Sequence, residues 1–230
     1  VLEQLRTEVL EANLEIVRRG LVLYTFGNAS AVDRETGLVV IKPSGVPYER
    51  MTPADMVITD LNGRIVEGKL KPSSDLDTHT ALYRAFPAIG GVVHTHSRHA
   101  TAWAQARREI PCLGTTHADY FHGPVPVTDP LTAEEIASGY EANTGAAILR
   151  RMAGCDPLAC PGVLVAGHAP FCWGKTVSEA AYHAVIVEEL AAMAWQTLTI
   201  NPHAEPISQA LRDKHHFRKH GPGATYGQSA

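Results

Sequence analysis

The chain has 230 residues, of which 45% are apolar and 19% charged, with a formal net charge of −4 at pH 7. That balance excludes a disordered chain, and the length is enough to bury a core without disulfide staples. The weak acidity offers no field for nucleic acid or an anionic membrane surface, and no run reaches the roughly 18 apolar residues of a membrane span.

In chain order, Leu2, Leu5, Val9, Ala12 and Ile16 recur at steps of three and four and predict an amphipathic helix closed by Gly20. The segment Gly27-Asn28-Ala29-Ser30 reads as a small-residue turn. Strand-like runs follow at 38–41, 56–59 and 65–66, the last two joined by Asn62-Gly63, a hairpin signal. A helix is predicted over 74–86, with Ser74 as N-cap and Pro87 closing it. The β-rich run 89–96 leads into a helix over about 98–106. Thr132-Ala133-Glu134-Glu135 is a capping box that opens a helix to about Met152, with Ile136, Tyr140, Ala147 and Ile148 on its apolar side. Short strands are expected at 162–165 and 171–174. Thr176-Val177-Ser178-Glu179 repeats the capping logic before a long alanine-rich helix, apolar over a wide arc and so buried. A last helix is predicted over about 206–219, and the tail 221–230 has no periodicity. Interleaved strands and helices predict an α/β or mixed α+β fold with helices on both faces of a sheet, organised as one domain over 1–230.

Cys112, Cys155, Cys160 and Cys172 form no C-x-x-C pair, which argues against a thiolate zinc site. The first residues carry no apolar signal core, so a reducing cytoplasm is the expected location. The histidine count of 12 is high, and the placement of those residues is informative. His94-Thr95-His96 follows Val92-Val93. On a strand, residues i and i+2 share a face, roughly 7 Å apart at Cα, so two imidazoles there can converge on one ion. A catalytic zinc site typically takes three protein ligands and keeps a position open, and His168 in Gly167-His168-Ala169-Pro170 is the best third candidate. The same pattern also fits solvent-facing histidines with no ion. Asp75, at a predicted helix start, reads from spacing alone as a residue favoured by the helix dipole.

Lys42-Pro43-Ser44-Gly45, Ser73-Ser74 and Gly27-Asn28-Ala29-Ser30 each combine exposed backbone N–H groups with hydroxyls or a lysine. Such turns can cradle a phosphate, but taken singly each is better read as an ordinary turn.

Six blocks in order resemble the class II aldolase/adducin family over essentially the whole chain. They are Thr25-Phe26-Gly27-Asn28-Ala29-Ser30, Ile41-Lys42-Pro43-Ser44-Gly45, Lys71-Pro72-Ser73-Ser74-Asp75, Val93-His94-Thr95-His96-Ser97, Gly114-Thr115-Thr116-His117-Ala118-Asp119-Tyr120 and Gly167-His168-Ala169-Pro170-Phe171. The ending from Asp213-Lys214-His215 to Tyr226-Gly227-Gln228 is similar to the epimerase branch of that family. The resemblance implies a three-layer α/β/α sandwich around a mostly antiparallel sheet, assembled as a C4 homotetramer with shared active sites. It implies that His94, His96 and His168 bind Zn2+, replaceable by Co2+ or Mn2+, with Asp75 close to the metal or completing its shell. It implies that Asn28, Lys42, Ser44, Gly45, Ser73 and Ser74 hold a substrate phosphate, and that Thr115 and Glu141 lie near the sugar. The catalytic acid/base aspartate falls on Asp119, the C-terminal tyrosine on Tyr226 and a catalytic-site histidine on His215.

The activity implied is epimerisation of a phosphorylated ketopentose, L-ribulose 5-phosphate to D-xylulose 5-phosphate, at C4. That C–H is not next to a carbonyl and is not acidic, so simple proton abstraction cannot invert it. Retro-aldol cleavage of C3–C4, rotation of the aldehyde and re-addition can. The alternatives are an aldolase of the same family, which releases the aldehyde, and a non-catalytic adducin-like module. Asp75, where family aldolases carry a glutamate, and the tail favour the epimerase.

Overall fold

A computed structural model describes residues 2–220 and 224–225. Helix α1 (Glu3–Arg18) buries Val9, Ala12 and Ile16 as its period requires. It turns through Gly20, whose φ of 69° suits glycine.

Seven strands make one sheet: β1 (Asn28–Asp33), β2 (Leu38–Ile41), β3 (Val57–Asp60), β4 (Ile65–Glu67), β5 (Gly91–His94), β6 (Gly162–Leu164) and β7 (Pro170–Gly174). Their order is β4-β3-β2-β1-β5-β7-β6, and every pairing within the sheet is antiparallel. The expected Asn62-Gly63 hairpin joins β3 to β4, with Gly63 at a φ of 81°. The segment read as a small-residue turn is instead the start of β1, in the middle of the sheet. Asn28 pairs with His94 and Ser30 with both Val92 and Ile41. Its small side chains fit there because both faces of β1 are covered by helices.

One face carries α1, α3 (Arg98–Gln105) and α6 (Val177–Ile200) over Val40, Ile58, Val93 and Leu164. The other carries α2 (Leu76–Ala85) and α5 (Ala133–Arg151) over Ile41, Val92 and Phe171. This is the three-layer sandwich expected. Short α4 (Thr115–Ala118) packs against α7 (Gln209–Lys219). The last helix thus begins at Gln209, later than the sequence implied, with Ser208 as its cap.

Helix α2 begins at Leu76, two residues beyond the predicted cap, with Asp75 in the N-cap position but making no capping bond. The capping box of α5 forms as predicted, but Gly139 (φ 141°, ψ 86°) breaks the helix after its first two turns. Ile136 is therefore exposed and Tyr140 leaves the core, contrary to the apolar stripe drawn through them.

At the β4 edge, Ile65 and Val66 are about half exposed. The strand is three residues long, and the β3–β4 register shifts at Ile58/Thr59. The buried Arg6 guanidinium ties this edge to α1: it donates to Met56 O (2.8 Å) and pairs with Glu67 (2.7 Å).

Candidate active site

His94 is the last residue of β5, and its neighbours across the sheet are Asn28 of β1 and Phe171 of β7. Its buried ring stacks on Phe171 with centroids 4.2 Å apart, and Nδ1 donates to Pro170 O at 2.9 Å. That bond fixes the ring and leaves Nε2 as the free lone pair. His96 is not on the strand, as the two-residue spacing implied. β5 ends at His94, and residues 95–97 form the connection to α3. His168 lies in the turn before β7, where its N–H donates to Val165 O at 2.9 Å.

The ligand atoms of His94, His96 and His168 all lie within 4.8 Å of one another. The Nε2 atoms of His96 and His168 are 3.2 Å apart, close to the roughly 3.3 Å between two nitrogens on one tetrahedral zinc. Burial depresses all three imidazoles, and it takes His168 to about 4, helped by His94 and His96. Three neutral nitrogen donors converging on one point make a cluster suited to a divalent metal.

Asp75 stands beside the cluster and accepts a 2.7 Å hydrogen bond from Asn28 Nδ2. Burial pushes its carboxyl up, but the neighbouring imidazoles and the Asn28 amide outweigh this and hold it below the usual range. Its side chain is thus committed to the cleft and makes no N-cap bond. Beneath it the fully buried His79 contacts Ser30 Oγ through Nδ1 at 2.7 Å, and Tyr83 OH donates to Ser30 O at 2.8 Å. Burial lowers His79 to about 3, so it is neutral.

The same cleft, about 410 Å³, is lined by Thr25 to Asn28, Lys42, Ser44, Gly45, Ser73 to Asp75, Tyr140, Glu141 and the three histidines. All six residues matched to phosphate binding are therefore gathered at the histidine cluster, and so is Glu141. Lys42 is 2% exposed, and burial lowers its ammonium from 10.5 to about 8. Its ring neighbour is Tyr48, 4.8 Å away. Tyr140 was missed in the sequence because its helical spacing made it look like core; the turn at Gly139 puts its ring 5.8 Å from His168.

Thr115, Asp119 and His215 do not line this cleft. Thr115 opens α4 and Asp119 follows it as C-cap. Asp119 accepts from Arg218 (2.8 Å), pairs with His215 Nδ1 (3.1 Å) and lies 3.4 Å from Lys219 Nζ. Burial raises its carboxyl, but the Arg218 and His215 hydrogen bonds and the Lys219 charge win and hold it low. Asp119 and the basic side chains of α7 form a second polar cluster on the same chain. Tyr226 lies outside the described residues.

The description "class II aldolase and adducin N-terminal domain" belongs to the family model that matches residues 7–195. The chain is 54% identical over 227 residues to the L-ribulose-5-phosphate 4-epimerase UlaF of Salmonella typhi, covering 99% of this chain and 100% of that one. The protein of the same name from Salmonella paratyphi A gives the same figures. A solved L-fuculose 1-phosphate aldolase superposes with a TM-score of 0.80 at 24% identity, over 94% of this chain and 95% of that one. The L-fuculose 1-phosphate aldolase of Glaciozyma antarctica PI12 gives 0.74 at 16% identity, over 96% and 84%. At these identities the two structures speak to the fold, and the fold is the same. With a family match over most of its length and relatives at 54% identity, the chain belongs to the class II aldolase and adducin family.

Proposed function

We propose that this chain is a divalent-metal enzyme that interconverts L-ribulose 5-phosphate and D-xylulose 5-phosphate by breaking and remaking the C3–C4 bond. One observation carries the reading: the three-imidazole cluster opens into the cleft that also gathers Lys42, Ser44, Gly45, Ser73 and Ser74. The relatives at 54% identity bear the corresponding name.

His94, His96 and His168 hold the metal, zinc by preference, although three imidazoles also accept cobalt or manganese. The ion supplies Lewis acidity for negative charge developing on the C2 oxygen. Lys42, with Asn28, the hydroxyls of Ser44, Ser73 and Ser74 and the Gly45 backbone, grips the phosphate. That grip keeps the glycolaldehyde phosphate fragment in the cleft while its aldehyde group turns beside the dihydroxyacetone enediolate. Asp75 orients Asn28 and lies next to the reacting end of the sugar. Asp119 and Tyr226 serve as the two proton-transfer groups for the C4 hydroxyl, one on each face of the aldehyde. His215 supports Asp119, and Thr115 and Glu141 contact the sugar.

The chain works as a C4 homotetramer in the cytoplasm, with the Asp119 cluster of one subunit completing the cleft of the next. The separation of that cluster from the cleft lining within one chain supports the shared site. Four free cysteines fit a reducing compartment.

The deciding experiment supplies L-ribulose 5-phosphate to the zinc-loaded protein and follows D-xylulose 5-phosphate and glycolaldehyde phosphate together. Epimer without free aldehyde is the expected result. Accumulating aldehyde makes the protein an aldolase, and no turnover makes it a non-catalytic module.

A further inference from the structure

Of the three clustered imidazoles, only His94 has its second nitrogen held by a protein acceptor, Pro170 O. His96 is exposed, and its ring touches His94, His168 and, at 6.1 Å, Phe26. It also lies beyond the end of β5, so no sheet hydrogen bond fixes it. Its position therefore depends on its backbone, and that backbone runs directly into the first turn of α3.

The start of α3 is unusual. Its N-cap residue, Ser97, makes no side-chain capping bond. The orphan N–H groups that an N-cap side chain would serve are those of the second and third helical residues. Here both are taken by Glu188, which reaches across from the middle of α6. Its carboxylate accepts from His99 N at 2.9 Å and Ala100 N at 2.9 Å, and from His99 Nδ1 at 2.8 Å. The side chain is 13% exposed. Burial raises its carboxyl, but the two backbone donors outweigh that and keep it ionised, the form that suits a helix N-terminus. Flanking residues Val187 and Leu190 are buried in the core, so the cap is anchored to a rigid element.

The other end of α3 touches the turn that carries the third histidine. Ala104 O accepts from Gly167 N at 2.8 Å, in the residue before His168. One short helix thus borders two ligand-bearing segments.

We propose that Glu188 is a positioning residue for the metal centre: by capping α3 from outside, it sets the place of His96 and, through Ala104, of the turn that carries His168. This rests on the metal reading of the histidine cluster.

The test measures zinc affinity by competition with a chromophoric chelator, on proteins shown to be folded by circular dichroism. Glu188→Ala is expected to bind zinc about 10–100-fold more weakly, the usual scale for a group that orients ligands. Glu188→Gln, which keeps one acceptor oxygen, is expected to lose at least threefold but less than the alanine variant. Thr176→Ala removes an ordinary cap, that of α6 on Glu179 N, and controls for general destabilisation. It is expected to stay within about twofold of the parent, since that cap touches no ligand segment. A loss below threefold in Glu188→Ala, or an equal loss in Thr176→Ala, overturns the proposal. If the alanine variant does not fold, a loss below threefold in Glu188→Gln overturns it. His94→Asn separates the two readings: if it binds zinc as tightly as the parent, the metal site itself is misassigned.

Discussion

Lys42 places a buried ammonium in the cleft beside the Tyr48 ring, with two long hydrogen bonds among the described residues, to Thr25 O at 3.4 Å and Pro43 O at 3.3 Å. A fall from 10.5 to about 8 represents about 3 kcal/mol against the folded protein at neutral pH. The folded state binds its proton less well than the unfolded chain, so this cost is complete below pH 8 and fades as the pH rises towards 10.5. Lys42→Met is accordingly expected to raise the Tm of the phosphate-free protein by about 6–12 °C at pH 7, an advantage that shrinks between pH 8 and 10.5. Inorganic phosphate should raise the Tm of the parent and leave the variant unmoved. Thermal denaturation with and without phosphate checks both, and a variant less stable than the parent at pH 7 would contradict the stored cost. Lys42 and its companion turns could be picked out in the sequence as types of residue able to hold phosphate. That they face one another could not, because three turns from distant segments meet only when the sheet brings β1, β2 and the start of α2 together.

Elements show the same division. The long helices, the capping box at Thr132 and the side-chain cap at Thr176 are local devices and were readable, although Glu179 accepts from Lys175 N and so leaves the Thr176 box open. Strand β1 was not: Asn28-Ala29-Ser30-Ala31 has little intrinsic strand preference and is extended because β2 and β5 pair with it on both sides. Helix α4 is four residues long, too short to display a period. The break in α5 was hidden because the capping box and the apolar spacing run through it. Gly139 meets nothing within 4 Å of an added Cβ, so its replacement is opposed by the backbone alone. Asn143 bridges the break, donating to Glu135 O at 2.7 Å and Ser138 Oγ at 3.0 Å. Gly139→Ala is expected to destabilise the fold by about 1–3 kcal/mol. It should also raise KM, since Tyr140 and Glu141 follow it into the cleft. Unchanged Tm and KM would mean that the turn is free to straighten.

For the whole molecule, the histidine cleft and the Asp119 cluster sit on different parts of one chain, and the proposed shared site makes a sharp prediction. A subunit carrying His94→Asn still offers Asp119, and one carrying Asp119→Asn still offers the histidines. Each variant alone is expected to lose at least about 100-fold in turnover, the scale of a missing acid/base group or more. Mixed after dissociation and reassembled in equal amounts, they should recover about a quarter of the parental activity, since one site in four joins an intact half from each. No recovery would mean that the cleft and Asp119 act within one subunit. No helix of the described residues is long and apolar enough to cross a membrane.

The β4 edge has a different consequence. A sheet that ends on half-exposed Ile65 and Val66 offers unpaired backbone to any passing strand. Its three-residue length and the shifted β3 register leave too little regular ladder for another chain to extend. The Arg6 guanidinium, bound to Met56 O and Glu67, holds that short strand against its own helix. The residues that finish the sheet therefore also blunt its edge against pairing with a further strand, at the opposite end of the sheet from β5 and β7.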